Sequence, residues 1–142
     1  RRNMMDKVLN WVKAAFAAIG GVIGWFFGLA DGFLYALIAF VVLDYVTGVM
    51  CAIADKELSS DVGFKGIFRK FLIFALVGLG HILDAQVLGT PDAGALRTAV
   101  IFFYLSNEGI SILENTAHLG LPIPAKLKDI LAQLHEGGEK AQ

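Results

Sequence analysis

The segment FLYALIAFVVLDYVTGVMCAIA, residues 33–54, decides the fold of this chain. Its one charged residue is Asp44, and apolar residues fill most of the remaining positions. A helix of about 20 residues, rising 1.5 Å per residue, crosses the hydrocarbon core of a bilayer. The segment therefore predicts a transmembrane helix.

The composition of the whole chain also favours a membrane location. Of its 142 residues, 56% are hydrophobic and 18% are charged. The mean hydropathy of +0.65 is too apolar for a soluble domain of this size. The net charge of −1 indicates no nucleic-acid partner. A single cysteine, Cys51, excludes an intrachain disulfide framework and a cysteine-rich zinc site. We expect one membrane domain over residues 1–142.

Three further apolar segments flank this one, two of them reaching the length of a span only with neighbouring residues. Together the segments predict an all-α integral membrane protein with four transmembrane helices and a short C-terminal amphipathic helix. The four predicted spans cover approximately residues 14–30, 33–54, 68–88 and 97–119.

The distribution of lysine and arginine gives a second prediction of topology. Four of these residues precede the first span, none lies in the first turn, four lie between the second and third spans, one lies in the next loop, and three follow the fourth span. Cytoplasmic loops carry the excess of positive charge. The alternation predicts that both termini and the central loop, Lys56 to Lys70, are cytoplasmic, and an even number of spans agrees with this orientation.

The C-terminal segment, residues of about 123–136, predicts a helix that is too short to span. Its apolar residues recur at helical spacing and are Ile123, Leu127, Ile130, Leu131 and Leu134. Pro122 and Pro124 end the fourth span before it. An amphipathic helix of this kind lies on the cytoplasmic membrane surface. Packing against the cytoplasmic loop is the alternative.

The fourth predicted span carries polar side chains that a lipid-facing helix would exclude. At 100° per residue they fall within one stripe about 120° wide. They are Tyr104, Asn107, Glu108, Ser111, Glu114 and Asn115. A carboxylate at the bilayer centre costs about 2.5–3.5 kcal/mol on insertion scales, and Glu108 lies closest to the middle. The stripe must therefore face protein, as a hydrogen-bonded packing surface, or water, as a lined path.

Polar groups also align in the second and third spans. Asp44, Thr47 and Gly48 share one helical face. His81 and Asp84 align at a spacing of three residues. No plausible nucleophile accompanies them, and with one glutamate they make no convincing zinc site, so we expect a structural pair. We predict no catalytic residue, metal site or cofactor.

The first span contains a different pattern, the glycines Gly20, Gly24 and Gly28. Glycines four residues apart allow helix backbones to approach closely in lipid. The pattern predicts a packing face, either within one subunit or as an oligomer contact between subunits.

Three blocks of the sequence resemble the phage-lysis and toxin-secretion holins, a group of small bacterial and prophage membrane proteins. The blocks are LDYVTGVMCAI (43–53), LSSDVGFKGIFRK (58–70) and NEGISILENTAHLGLPIPAKLKDIL (107–131). The resemblance runs roughly from Leu43 to Leu134. The family pattern matches this chain at Asp44, Gly48, Ser59, Ser60, Gly66, Glu108, Ser111, Glu114, Asn115, Gly120, Pro122 and Pro124.

The resemblance implies a non-enzymatic protein of the bacterial cytoplasmic membrane that forms homo-oligomers and opens lesions in the bilayer. An endolysin, or in some bacteria a toxin, passes through such lesions without needing direct contact. The residues themselves indicate a membrane location, small-residue packing and polar stripes, but not lysis. They leave open an alternative function, a small-ion channel or transporter subunit with Glu108 as an intramembrane acidic site.

Overall fold

The computed structural model describes residues 3–28, 30–90 and 94–140, with the side chains at 134, 135 and 137–140 excepted. The predicted cytoplasmic termini extend to residues 1, 2, 141 and 142, which lie outside the described residues. Residue 29 of the first predicted span also lies outside them. The elements are α1 (Met4–Phe27), α2 (Gly32–Ala54), α3 (Ser60–Ile82), a π-helical turn (Leu83–Val87), α4 (Ala95–His118) and α5 (Ala125–Lys140).

The prediction of an all-helical protein is confirmed over the described residues, since every regular element among them is a helix. Three helical stretches are long and apolar enough to cross a membrane: Met4–Phe27, Gly32–Ala54 and Ser60–Val87. The fourth predicted span corresponds to α4, which has 24 residues but is not among these three. Four spans therefore remain a prediction.

The start of α3 differs from the sequence prediction. The helix begins at Ser60 rather than near residue 68, because the Ser59 hydroxyl accepts a hydrogen bond of 3.2 Å from the backbone N–H of Val62. Hydropathy does not detect this polar first turn. Lys65, which the sequence assigned to the loop, therefore lies within α3. Arg69 and Lys70, which the charge count placed in the loop although the predicted span of 68–88 included them, also lie within α3.

The core lies between α2, α3 and α4. Its buried members are Leu34, Leu37, Val41, Ile73, Val77, Ile101 and Leu105. By contrast, α1 has no buried residue and packs mainly against α3, where a Cβ on Gly78 would overlap the ring of Phe26. Most of α1 is thus available to lipid or to another subunit.

Helices α2 and α4 run parallel, side by side. At one end Arg97 pairs with Asp31, with 2.9 Å between Nη1 and Oδ2. At the other end His118 Nε2 lies 2.9 Å from Asp55 Oδ2. Because each pair joins corresponding ends of the two helices, α4 extends along the full length of α2.

Asp84, in the π-helical turn, holds the junction between α3 and α4. Its side chain is fully buried. Oδ1 accepts from the backbone N–H of Leu96 at 3.1 Å and Oδ2 from that of Arg97 at 2.8 Å. The carboxylate therefore satisfies two of the unpaired N–H groups at the start of α4.

The turn after α4 reverses the chain. Gly120 has φ of +95°. Its backbone N–H donates to the carbonyl oxygen of Ala117 at 3.0 Å, and the backbone N–H of Leu121 donates to the carbonyl oxygen of Thr116 at 3.1 Å. This pair of bonds is a Schellman motif. Helix α5 then packs back along α4, beginning at Ala125 and not at 123.

Gly80 allows α3 and α4 to approach closely, and we predict that Gly80→Leu destabilises the bundle. A Cβ there would lie 3.1 Å from the Cα and N atoms of Arg97, which as backbone cannot rotate away. Overpacking of this kind costs about 1–3 kcal/mol. Thermal unfolding in detergent should show a lowered Tm. Gly21→Leu is the matched control, because a Cβ at Gly21 meets nothing within 4 Å; equal Tm values for the two variants would contradict the prediction.

Candidate functional site

Lys70 lies at the centre of the candidate site. Its ammonium group, on α3, forms ion pairs with Asp44 on α2 and with Glu108 on α4. Both carboxylates are buried, with exposed fractions of 8% and 7%. One lysine thus joins the three core helices by pairing with two carboxylates. We call Lys70, Asp44 and Glu108 the ion cluster.

A hydrogen-bond network continues from the ion cluster along α2 and α4. The side-chain amide of Asn115 donates to Asp44 Oδ1 at 3.1 Å and to the Thr47 hydroxyl at 2.9 Å. Gly48 lies beside the same amide, so that a Cβ there would be 3.8 Å from Asn115 Nδ2. The structure therefore brings together Asp44, Thr47, Gly48, Glu108 and Asn115, which the sequence placed on two separate helices.

The ion cluster lies deep in the bundle. Counting from the Arg97–Asp31 pair, at 1.5 Å per residue, Asp44 and Glu108 are about 16–20 Å along α2 and α4. This distance is close to the middle of both helices. An uncompensated charge at such a depth would be expensive, so the arrangement of one lysine between two carboxylates is what permits them there.

A cleft of about 640 Å³ opens beside the ion cluster, between α3 and α4. We call it the large cleft. Its polar lining consists of Asp44, Arg69, Lys70, Tyr104, Asn107, Glu108, Ser111 and Glu114. Most of the predicted stripe on α4 therefore faces one open cleft, and Glu114 is exposed there while Glu108 is buried.

A smaller cleft of about 230 Å³ lies on the other side of the ion cluster, toward the end of α2 that is predicted to be cytoplasmic. Its apolar lining includes Ala52 of α2, Val62 of α3 and Leu58 of the segment between these helices. It shares Asp44, Lys70 and Ser111 with the large cleft. Asp44 and Lys70 of the ion cluster thus line both cavities.

A second polar contact lies at the opposite end of the bundle. Arg97 is buried and donates to Asp31 and, through Nε at 2.8 Å, to the carbonyl oxygen of Phe27. Burial acts to raise the pKa of Asp31, but the hydrogen bonds from Arg97 and from the backbone of Leu34 outweigh it, and the pKa lies below its ordinary value. Arg97 therefore fixes where α1 ends and α2 begins.

The remaining predicted residues have separate positions. His81 does not join Asp84, whose oxygens cap α4; its ring lies against Gly28 instead, where a Cβ would be 2.6 Å from Nδ1. Gly28 is the residue after α1 and has φ of +79°. Gly20 and Gly24 lie on α1 with nothing within 4 Å of a Cβ. The oligomer contact remains a prediction.

Sequence reasoning missed Lys70 and Arg97 as site residues, since it counted both as loop charges. A helical wheel started at the Ser59 cap would have placed Lys70 inside α3, four residues after Gly66. Among the described residues, no group of three or more histidine, cysteine, aspartate or glutamate side chains is placed to hold a metal ion.

Comparison with known sequences defines the class of protein. The model of the bacteriophage holin family matches residues 21–136, which include the ion cluster and most of α5. A protein described as a probable holin, from Bacillus phage phi105, is 36% identical over 99 residues, covering 70% of this chain and 71% of the phage protein.

Relatives also occur in bacteria. An uncharacterized 14.9 kDa protein in the nagH 3′ region of Clostridium perfringens is 42% identical over 133 residues, covering 92% of this chain and 98% of that protein. An uncharacterized protein of Listeria monocytogenes is 42% identical over 120 residues, covering 84% of each chain. No solved structure matches this chain.

These likenesses and the apolar helices define a membrane-embedded protein related to phage proteins. The chain belongs to the bacteriophage holin family.

We predict that Lys70→Gln destabilises the bundle by about 3–5 kcal/mol, because it leaves two buried carboxylates without their cation. Denaturant unfolding of purified protein in detergent measures the effect. Lys65→Gln is the matched control, since Lys65 is exposed on the same helix. Adding Asp44→Asn and Glu108→Gln to Lys70→Gln should restore most of the loss; no recovery in this triple variant would show that the charges are not the cause.

Proposed function

We propose that this chain is a holin that assembles into homo-oligomers in the bacterial cytoplasmic membrane and forms lesions there. An endolysin, or a toxin, leaves the cell through these lesions without contacting the chain. The observation that carries the proposal is the large cleft, a polar surface along α3 and α4 in a bundle whose other outer surfaces are mostly apolar.

A lesion needs subunits that tolerate lipid before assembly and water after it. In a single subunit the ion cluster and the Asn115 network satisfy the most deeply placed polar groups internally. Tyr104, Asn107 and Glu114 face the large cleft and remain available to water. When subunits assemble with their large clefts turned inward, the clefts form the polar wall of a lumen. The apolar outer surfaces of the subunits then meet lipid.

The same architecture supports four spans with both termini in the cytoplasm. Because α4 runs parallel to α2 between the Arg97–Asp31 and His118–Asp55 pairs, a membrane crossed by α2 is crossed by α4 as well. The lower hydropathy of α4 agrees with its central position, where its buried polar groups meet neighbouring helices and its other polar groups face the large cleft.

A small-ion channel or transporter subunit is the second candidate. Two cavities meet at the ion cluster, and such an arrangement suits a proton or ion path with Glu108 at its centre. The two candidates differ in the size of what crosses: only a holin releases an enzyme.

The test is induction in bacterial cells that also express a cytoplasmic endolysin without a signal peptide. We predict an abrupt fall in culture density only when both proteins are present. Each protein expressed alone serves as a control. Loss of membrane potential without release of endolysin activity into the medium would favour the second candidate and contradict the holin.

Glu108 connects the large cleft to the function, and we predict that Glu108→Leu delays or abolishes lysis. The leucine makes this part of the stripe compatible with lipid, so the closed arrangement becomes more stable relative to the open one. Lys70 keeps its pair with Asp44 in this variant. Glu108→Gln should shift the time of lysis, and Glu114→Gln, at an exposed position, should change it least. The time of lysis is compared between variants at equal amounts of membrane-inserted protein. If cells that express Glu108→Leu lyse at the same time as cells that express the parent chain, Glu108 acts only in packing.

Gly24 tests the predicted contact between subunits. Its position on α1 is empty within one subunit, so Gly24→Leu should leave the subunit folded but block close approach of a second α1. Chemical crosslinking in membranes should then show fewer high-order species, whereas Gly24→Ala, with a small side chain, should retain more of them. An unchanged crosslinking ladder for Gly24→Leu at equal expression would show that this face is incidental.

A further inference from the structure

One face of α1 is unsuited to lipid and has no partner within the subunit. It combines small and polar residues that recur every three or four positions and are all exposed: Asp6, Asn10, Lys13, Ala17, Gly20 and Gly24. We call it the polar face of α1. Lys13 lies about 21 Å from the end of α1 at Phe27, inside a hydrocarbon core of about 30 Å. A charge at this depth favours contact with protein or water over lipid.

The polar face of α1 points away from its own subunit. Phe26 packs at Gly78 of α3, and Ala17, nine residues before Phe26, is about 180° around α1 from it. On α3 the same spacing separates Gly78 from Arg69, which lines the large cleft. A subunit therefore carries the polar face of α1 on one side and the large cleft on the other. Two different surfaces placed in this way can join copies of one chain head to tail.

The two surfaces also match in depth. The end of α1 and the start of α4 share a level, because Arg97 Nε donates to the carbonyl oxygen of Phe27 at 2.8 Å. Helix α1 ends where α4 begins, so residues equally far along the two helices from this level face each other in copies that lie side by side in one membrane. The facing pairs are Gly20 with Tyr104, Ala17 with Asn107, Lys13 with Ser111, and Asn10 with Glu114.

The facing residues are complementary in size and charge. Gly20 leaves room for the ring of Tyr104, so the helices can approach closely. Lys13 and Asn10 both lie within one helical turn of the level of Glu114, which is exposed and forms no ion pair among the described residues. A second α1 suits this part of the face less well, since two parallel copies of α1 in register bring Lys13 next to Lys13.

We propose that α1 of one subunit lies in the large cleft of the next subunit and keeps the lesion closed. Its polar face enters the cleft, where Lys13 pairs with Glu114. Its large apolar side chains on the opposite side, including Trp11, Ile19 and Val22, meet lipid. Withdrawal of α1 then exposes the stripe on α4 to water. The contact between copies is independent of the holin function, whereas its role in closing the lesion rests on the proposed function.

A disulfide between two differently tagged chains tests the contact. Both chains carry Cys51→Ser, one with Ala17→Cys and the other with Asn107→Cys, so that each has a single thiol. Oxidation of membranes from cells that express both chains should give a dimer that carries both tags. Ile19→Cys in place of Ala17→Cys is the matched control, because Ile19 lies at nearly the same depth on the opposite side of α1. We expect a yield several-fold above this control.

Two results of the crosslinking experiment would overturn the inference. One is an equal yield from Ala17→Cys and from Ile19→Cys. The other is a dimer that forms between two Ala17→Cys chains but not between Ala17→Cys and Asn107→Cys, which would assign the polar face to a second α1.

Exchange of two charges tests the predicted pair. Lys13→Glu in the first chain, or Glu114→Lys in the second, should lower the yield of the disulfide between positions 17 and 107 several-fold, because like charges then meet. With both substitutions present most of the yield should return, which a general loss of stability would not produce. No recovery would overturn this placement of α1. Reversal of charge is a sharper change than Glu114→Gln, whose amide oxygen still accepts a hydrogen bond from Lys13.

Release of a fluorescent dextran from vesicles connects the contact to closure. The full chain with Cys51→Ser, Ala17→Cys and Asn107→Cys is reconstituted into phosphatidylethanolamine–phosphatidylglycerol vesicles. We expect several-fold slower release from the oxidised than from the reduced protein, and no such difference when Ile19→Cys replaces Ala17→Cys.

The outcomes separate the inference from the proposed function. If the disulfide forms and the oxidised protein releases dextran as fast as the reduced protein, α1 does not keep the lesion closed, while the holin function stands. If the disulfide forms but the parent chain releases no dextran, the contact between copies is supported. The holin function then fails, together with the role of α1 in closing the lesion.

Discussion

The structure depends on one constraint: a charged group among apolar helices must meet an opposite charge or water. Lys70 meets this constraint for both Asp44 and Glu108, and it does so from a third helix. The rotation of α3 against α2 and α4 is thereby fixed, because other rotations leave at least one buried carboxylate without a cation. Replacing such groups by apolar ones is often neutral or stabilising, so the ion cluster is better explained as specifying an arrangement than as adding stability.

Around this constraint the helices divide into two groups. Helices α2, α3 and α4 form the core, held in the middle by the ion cluster and at the ends by Asp31, Asp84 and His118. Helix α1 contributes no buried residue, and α5 contributes one, Leu131, among its described side chains. For a protein that is proposed to change from a lipid-tolerant subunit to a water-lined assembly, this division is useful. The core keeps its charges paired, while the outer helices can exchange partners without breaking it.

The candidate site was partly predictable. Helical periodicity placed Glu108, Ser111 and Asn115 on one face, and the energetic cost of polar groups in lipid required partners for them. The partner itself was not identified, because hydropathy locates the apolar part of α3 and not its polar beginning. Lys70 was therefore counted in a loop. His81 and Asp84 show the opposite error, since their alignment on one helix suggested a pair, whereas their partners, Gly28 and the start of α4, come from distant segments.

The sequence by itself determined that this chain is all-helical and rich in helices apolar enough to cross a membrane, because the length of apolar runs and the helical repeat are properties of local segments. It also determined that the stripe on α4 needs a partner. The tertiary structure alone decided which partner that is, that α2 and α4 run parallel along their whole length, and that α5 folds back into a socket at Gly109. The physical reason is that these contacts join residues far apart in the chain, so no local pattern encodes the distance between them.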